Sequence, residues 1–234
     1  MKILAVDTST MAGSVALFDG SSLLGEVNIS SHITHSRRLL NAIDIILKGT
    51  ALELKDIDYY AIAIGPGSFT GLRIGLGTIK GLAMATQRKV CPIVTLEAMA
   101  YKVAAYCSVI YPMLDAGREQ IYTVIYRRKK GKLVKETNEM VLEPAQFLAS
   151  LKEYKAAFYG NGAKLYKTLI ERITKGEALF PEEDFYLARP IALLALEKIK
   201  SGRLVESSFL TPFYIRPSDA EIKKASIINK EREE

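Results

Sequence analysis

The chain has 234 residues, 49% apolar and 25% charged, with a net charge of +6 and a pI near 9.1, an ordinary globular balance with enough apolar sequence for one large domain or two small lobes. Its two cysteines, Cys91 and Cys107, stand in no metal-ligand spacing and are too few for a disulfide framework, so a reduced, cytoplasmic setting is expected. The apolar start Ile3–Val6 stops at Asp7, too early for a signal peptide or a membrane span, and the mild positive excess is compatible with an RNA-bearing partner without establishing one.

Ile3 to Val6 reads as a buried strand that enters the polar turn Asp7-Thr8-Ser9-Thr10. Ser14–Phe18 and Leu23–Ile29 read as two strands around Asp19-Gly20-Ser21-Ser22. Residues 35–48 carry Leu39, Leu40, Ile43, Ile46 and Leu47 at the spacing of an amphipathic helix. Tyr59–Ile64 is a strand broken by Gly65-Pro66-Gly67-Ser68, and a helix is expected from Phe69 to Gln87. Val90–Val94 is a strand, and Thr95 opens a helix through Ala105. The first lobe, residues 1–106, therefore reads β-β-β-α-β-α-β-α.

The second lobe, residues 107–234, opens with strands at Val109–Leu114 and Gln120–Tyr126 joined by Asp115-Ala116-Gly117. The basic stretch Arg127-Arg128-Lys129-Lys130-Gly131 reads as a solvated hairpin turn rather than a nucleic-acid site, followed by a strand over Lys132–Val141. Ala156–Tyr159 is a strand ending in Gly160-Asn161-Gly162, with a helix after it to Ile173 and another over Ile191–Lys200. Thr211–Arg216 is extended, and the charged tail from Ile222 reads as a frayed helix. Two similar lobes in tandem suggest a duplicated fold.

The segment Gly65-Pro66-Gly67-Ser68-Phe69-Thr70-Gly71-Leu72-Arg73-Ile74-Gly75 carries the most information. A glycine turn at a helix mouth leaves free N–H groups for an anion, but the Gly-Lys-Ser/Thr of a Walker loop is missing, and no GxGxxG follows the first strand. The helix after it contains Gly71, Gly75, Gly77 and Gly81, each costing about 1 kcal/mol against alanine, which calls for close neighbours. Leu72, Leu76, Ile79 and Ala83 form one apolar face, and Ile74, Thr78, Leu82 and Ala85 another. One face covers its own sheet; the other meets a second helix of the lobe or a partner protein.

Gly65–Gly75 resembles the signature of the TsaB (YeaZ) family. The resemblance extends in order through Val6-Asp7-Thr8-Ser9, His35-Ser36-Arg37-Arg38-Leu39-Leu40, Thr95-Leu96-Glu97-Ala98-Met99-Ala100, Leu114–Tyr122, Gly160-Asn161-Gly162-Ala163 and Pro212-Phe213-Tyr214-Ile215-Arg216, so it covers nearly the whole chain. It implies a two-lobed actin-like ATPase fold of the RNase H-like kind, a mixed sheet with flanking helices in each lobe. It also implies work beside a catalytic paralogue, TsaD, and an ATPase, TsaE. The product of that work is threonylcarbamoyladenosine beside the anticodon of tRNAs that read codons beginning with A.

Several residues bear on the role within such a complex. The catalytic paralogue carries an HxxxH metal pair where this chain has Thr95–Ala100, with Glu97 as the lone ligand type. The only histidines, His32 and His35, have no evident third ligand, and a metal site needs about three. No intrinsic catalysis and no metal are expected. Asp7, Thr8, Ser9, Asp115, Gly160, Asn161 and Gly162 sit where actin-like kinases hold ATP, but Asp7-Thr8-Ser9-Thr10 lacks the glycine of the usual DxGxT loop. A vestigial site without a cofactor of its own follows, with weak ATP or ADP binding expected at a partner interface. The alternative is a small-molecule kinase or ATPase of the same superfold; a peptidase ranks last for want of any catalytic set. Arg37, Arg38, Leu40, Phe69, Gly71, Arg73, Ile74, Gly75, Thr78 and Leu82 are expected to form the partner surface, used for a homodimer in isolation and for TsaD in the complex, with tRNA reached through the complex and no membrane contact.

Overall fold

The computed structural model describes residues 1–30 and 35–216. His32 and the tail from Ile222 lie outside the described residues. The first lobe is built on strands β1 (Lys2–Asp7), β2 (Ala12–Asp19), β3 (Ser22–Ser30), β4 (Tyr59–Gly65) and β5 (Val90–Val94). They form one sheet in the order β3-β2-β1-β4-β5. The first three are an antiparallel meander, and β4 and β5 add in parallel. β1 and β4 are buried along nearly their whole length, as continuous apolar runs require.

Helices α1 (His35–Gly49) and α2 (Phe69–Thr86) cover one face of this sheet. Their inward residues Leu39, Ile43, Ile46, Leu72, Leu76 and Ile79 close a core with Leu4, Val6 and Ile62. Ser68 caps α2 by accepting from Gly71 N–H at 3.2 Å.

The second lobe repeats the plan. Its sheet is built on β6 (Val109–Gly117), β7 (Gln120–Thr123), β8 (Tyr126–Lys129), β9 (Lys132–Lys135), β10 (Met140–Leu142) and β11 (Ala157–Tyr159). β7 and β8 keep a single register against β6, with Met113 opposite Thr123 and Ile110 opposite Tyr126. They are one strand interrupted at Val124–Ile125, which is why the expected strand 120–126 appears as two. β9 and β10 likewise form one broken outer strand, and β11 adds to β6 in parallel. Leu179 bridges Ala157 in parallel, standing where β5 stands in the first lobe. The meander-plus-parallel order of the first sheet thus recurs.

Three local differences from the sequence reading have plain causes. The basic stretch is not one turn: Arg127–Lys129 belong to β8, and only Lys130 (φ +51°) and Gly131 (φ +76°) turn, a two-residue hairpin loop that glycine suits. The helix α4 (Pro144–Ala149) was not expected; it is one short turn started by a proline and buried through Phe147 and Leu148. The expected helix after Gly162 divides at Tyr166 into α5 (Asn161–Leu165) and α6 (Lys167–Ile173).

The lobes exchange helices. α3 (Thr95–Lys102) follows the first sheet but also packs on β6, while α7 (Ala188–Lys200) follows the second lobe and lies across β1, β2, β4 and β5. Both contribute to a shared core that includes Ala98, Met99, Ile110, Leu114, Ile191 and Ala195. Ser14 in β2 fixes the entry of α7, its Oγ accepting from Leu187 N–H at 3.1 Å and Ala188 N–H at 3.0 Å. The chain then stays with the first lobe: Val205 bridges Val90, and Phe213 N–H donates to Ile64 C=O at 2.8 Å. Arg216 finally crosses to the second lobe, donating to Ala116 C=O and Gln120 Oε1. Among the described residues no helix is long and apolar enough to cross a membrane.

Candidate functional site

Two regions bear the residues singled out by the sequence: the cleft between the lobes and the outer face of α2. In the cleft, Asp7 ends β1 and is 0% exposed. Ser9 N–H donates to its Oδ1 at 2.9 Å, while Oδ2 has no hydrogen-bond partner among the described residues. Burial pushes the Asp7 carboxyl up to about 6, and the contacts with Ser9 and Thr8 pull only partly against that rise.

Thr8 and Ser9 are buried too, because the glycine turn and the first turns of α2 close over them. Ser68 N–H donates to Ser9 C=O at 2.7 Å, and Thr8 Oγ1 donates to Gly71 C=O at 2.8 Å. A Cβ added at Gly71 would lie inside the contact shell of the Thr8 carbonyl oxygen, and one at Gly75 inside that of Thr8 Oγ1. The glycine-rich start of α2 therefore serves as a lid on the Asp7 loop.

Across the cleft, Asp115 is exposed, and its Oδ1 accepts from Gly117 N–H at 2.9 Å, folding the carboxylate onto its own hairpin. Asn161 Oδ1 accepts from Asp115 N–H at 3.1 Å. Gly160, at φ +122°, lets the turn before α5 press against the Met113 carbonyl and the Met99 side chain, where a Cβ would collide. Gly162 is buried at the same contact.

Between these walls lies a cavity of about 170 Å³ lined by Met11, Met99, Leu114, Tyr159, Phe185 and Leu187, with Asn161 at its edge. Of the seven residues expected around a nucleotide, Asn161 alone lines it. The Tyr159 hydroxyl donates to Asp184 C=O, and burial is the main force raising its pKa. Such a lining suits apolar contact; it presents no pair of facing carboxylates and no nucleophile beside a base. Among the described residues no three His, Cys, Asp or Glu side chains stand together to hold a metal ion. Glu97, the one ligand type on α3, is tied to Lys198 at 2.6 Å.

On the outer face of α2, the residues expected at a partner surface separate into groups. Gly71 and Gly75 face inward, as above, so a bulky residue at either position tests the fold and not an interface. Leu82 is half-buried against its own core. Arg73 is exposed, its guanidinium 3.8 Å above the Phe69 ring and its Nε 3.4 Å from the Tyr214 hydroxyl. Phe69 in turn stacks on Tyr214 with ring centroids 5.2 Å apart. Ile74, Thr78 and Arg38 are half-exposed, and Leu40 on α1 is exposed by 51%. The side chains of His35 and Arg37 lie outside the described residues.

Sequence reasoning missed the centre of this face. From Arg73 the outward positions run through Gly77 and Gly81 to Met84, which is 68% exposed. Among the described residues, a Cβ added at Gly77 or Gly81 meets nothing within 4 Å. The available signal was the four-residue spacing from Arg73, which sets Gly77 and Gly81 on its stripe.

A family model described as "TsaD: tRNA N6-adenosine threonylcarbamoyltransferase" matches residues 24–224. The "tRNA threonylcarbamoyladenosine biosynthesis protein TsaB" of Bacillus subtilis is 31% identical over 225 residues, spanning 95% of this chain and 97% of that one. The chain belongs to the TsaB family. YeaZ from Pseudomonas aeruginosa superposes with a TM-score of 0.75 at 27% identity, over 91% of this chain and 100% of that one. Component A of the (R)-2-hydroxyglutaryl-CoA dehydratase of Acidaminococcus fermentans shares the fold alone, with a TM-score of 0.52 at 11% identity over 86% of this chain and 99% of that one. The architecture is the two-lobed actin-like one that the family resemblance implied.

Proposed function

We propose that this chain is a non-catalytic partner subunit in the formation of threonylcarbamoyladenosine next to the anticodon of tRNA, acting with TsaD and TsaE. Its relatives are named for that biosynthesis. The observation that carries the partner role is the pair of outward glycines on α2. A glycine in a helix interior costs about 1 kcal/mol against alanine. Gly71 and Gly75 offset that cost by admitting Thr8, but Gly77 and Gly81 gain no such contact from the described residues. A second helix approaching this stripe closely would supply the missing contact, with Ile74, Met84 and Leu40 as apolar neighbours and Arg73 at the edge.

On this reading the same face holds a second copy of the chain when it is alone and TsaD in the working assembly. The cleft carries no nucleotide of its own, a reading supported by the sealing of Asp7 under α2 and by the apolar cavity beside it. Any ATP or ADP belongs where two proteins meet.

The test is sedimentation of wild type and a Gly77→Leu/Gly81→Leu variant, alone and with TsaD. The variant is expected to match or exceed the wild-type urea midpoint, since leucine suits a helix better than glycine and both positions are exposed, and to lose both associations. A folded variant that still dimerises and still binds TsaD refutes the assignment. An ATP turnover of about 1 per second or more by the lone chain, lost in Asp7→Asn, would instead favour the small-molecule kinase.

A further inference from the structure

The basic hairpin reads differently once its neighbours are known. The β8–β9 turn leans over the end of α7, and between them and α3 lies a groove of about 320 Å³. Tyr101, Leu133 and Leu194 line it beside Lys132, Lys198 and Arg203. Some of the charges here cancel: Lys198 pairs with Glu97 at 2.6 Å and Lys129 with Glu136 at 2.9 Å, while Arg127 is clasped by Glu136 and Glu153. Arg128, Lys130, Lys132 and Arg203 have no acidic partner among the described residues. In the lining itself Lys132, Lys198 and Arg203 stand against Glu97 and Glu197, an excess of one positive charge, and Arg128 and Lys130 add to it from the adjoining β8–β9 hairpin.

We infer that this groove is a contact surface for an RNA backbone, and that the RNA is the tRNA of the proposed assembly. The second half of that statement rests on the proposed function; the groove itself does not. Unpaired cations on a rim take phosphates by releasing counterions, and a half-buried tyrosine beside them offers a face for a ribose or base. A hairpin tip that was only solvated would gain nothing from standing beside Lys198 and Arg203. The groove does not involve the α2 stripe, so one chain can hold its protein partner and the RNA at once.

The experiment uses the assembled complex of this chain with TsaD and a transcript of a tRNA that reads a codon beginning with A. Assembly is followed separately by sedimentation without RNA, so loss of the complex counts against the proposed function and not against the groove. Lys130→Glu/Lys132→Glu/Arg203→Glu should weaken tRNA binding at least tenfold in moderate salt and flatten the salt dependence by about 2 in log–log slope. Lys152→Glu/Arg172→Glu/Lys175→Glu makes the same charge change at exposed positions around α4 and α6, and should cost less than threefold. The milder Lys130→Gln/Lys132→Gln/Arg203→Gln should fall between, which keeps the test readable if the reversed variant does not assemble. Equal losses in the groove and control variants, or no loss in either, would overturn the inference.

Discussion

Asp7→Asn isolates the energetic consequence of sealing a carboxyl under α2. The group is 0% exposed, and its pKa is raised from 3.8 to about 6, chiefly by burial. A rise of about two units corresponds to about 3 kcal/mol between the protonation states, with no solvent screening to discount it. The folded state holds this proton more tightly than the unfolded one. Below about pH 4 both states are protonated and the carboxyl costs nothing extra; between about pH 4 and 6 stability falls as pH rises; above 6 the full cost is present. Asparagine does not titrate. Its oxygen can keep the Ser9 N–H bond, but its amide nitrogen enters the place where Oδ2 has no partner, at a cost of about 1–3 kcal/mol that does not depend on pH. The readout is therefore the change with pH of the stability difference between variant and wild type, from urea unfolding at pH 4, 5, 6 and 7. The variant should gain about 2 kcal/mol relative to wild type from pH 4 to pH 7, the rest of the shift lying below pH 4. Parallel curves would refute both the raised pKa and the sealed loop that causes it.

The four glycines of α2 should divide by the face they occupy. Gly71→Ala and Gly75→Ala should each lose about 1–3 kcal/mol by overpacking against Thr8, whereas Gly77→Ala and Gly81→Ala should each gain up to about 1 kcal/mol in urea unfolding. Ser14→Ala removes the acceptor of two buried N–H groups at the start of α7 and should cost about 1–3 kcal/mol, loosening the tie between the second lobe's last helix and the first sheet; a loss below about 0.5 kcal/mol would show that water replaces it. Cys91 is buried, and its thiol is pushed up to about 11, so a thiol reagent at pH 8 should find Cys107 alone in the native chain and both cysteines after denaturation.

Much of the fold was legible because the two periodicities are strong here. Ile3–Val6 and Tyr59–Ile64 are unbroken apolar runs between turns, and Leu39, Ile43, Ile46 and Leu47 repeat at helical spacing; each became the expected element. What failed was local and short. Pro144–Ala149 is too brief to show a period, and Tyr166 interrupts a helix without a glycine or proline to announce it. The register that joins β7 to β8 depends on pairing with β6, which sequence spacing alone does not display.

The site was less legible than the fold, and α2 shows why. Its four glycines look equivalent in sequence, and their shared cost says only that something must approach closely. Which neighbour approaches which glycine depends on where β1 ends. Asp7-Thr8-Ser9 turns directly under the first two turns of α2, so Gly71 and Gly75 are used up by the chain's own backbone and a threonine side chain. Gly77 follows Gly75 by about half a turn, so Gly77 and Gly81 point the other way. The residues read as a vestigial phosphate loop and those read as a partner surface are thus parts of one packing arrangement. Placing the inner glycines against Thr8 shuts Asp7 away from solvent and fixes the rotation of α2. That rotation in turn brings Gly77, Gly81 and Met84 to the outside, with Arg73 braced over Phe69 and Tyr214 at the near end of the stripe. The same rotation of one helix thus closes the Asp7 loop and turns the stripe of Gly77, Gly81 and Met84 outward.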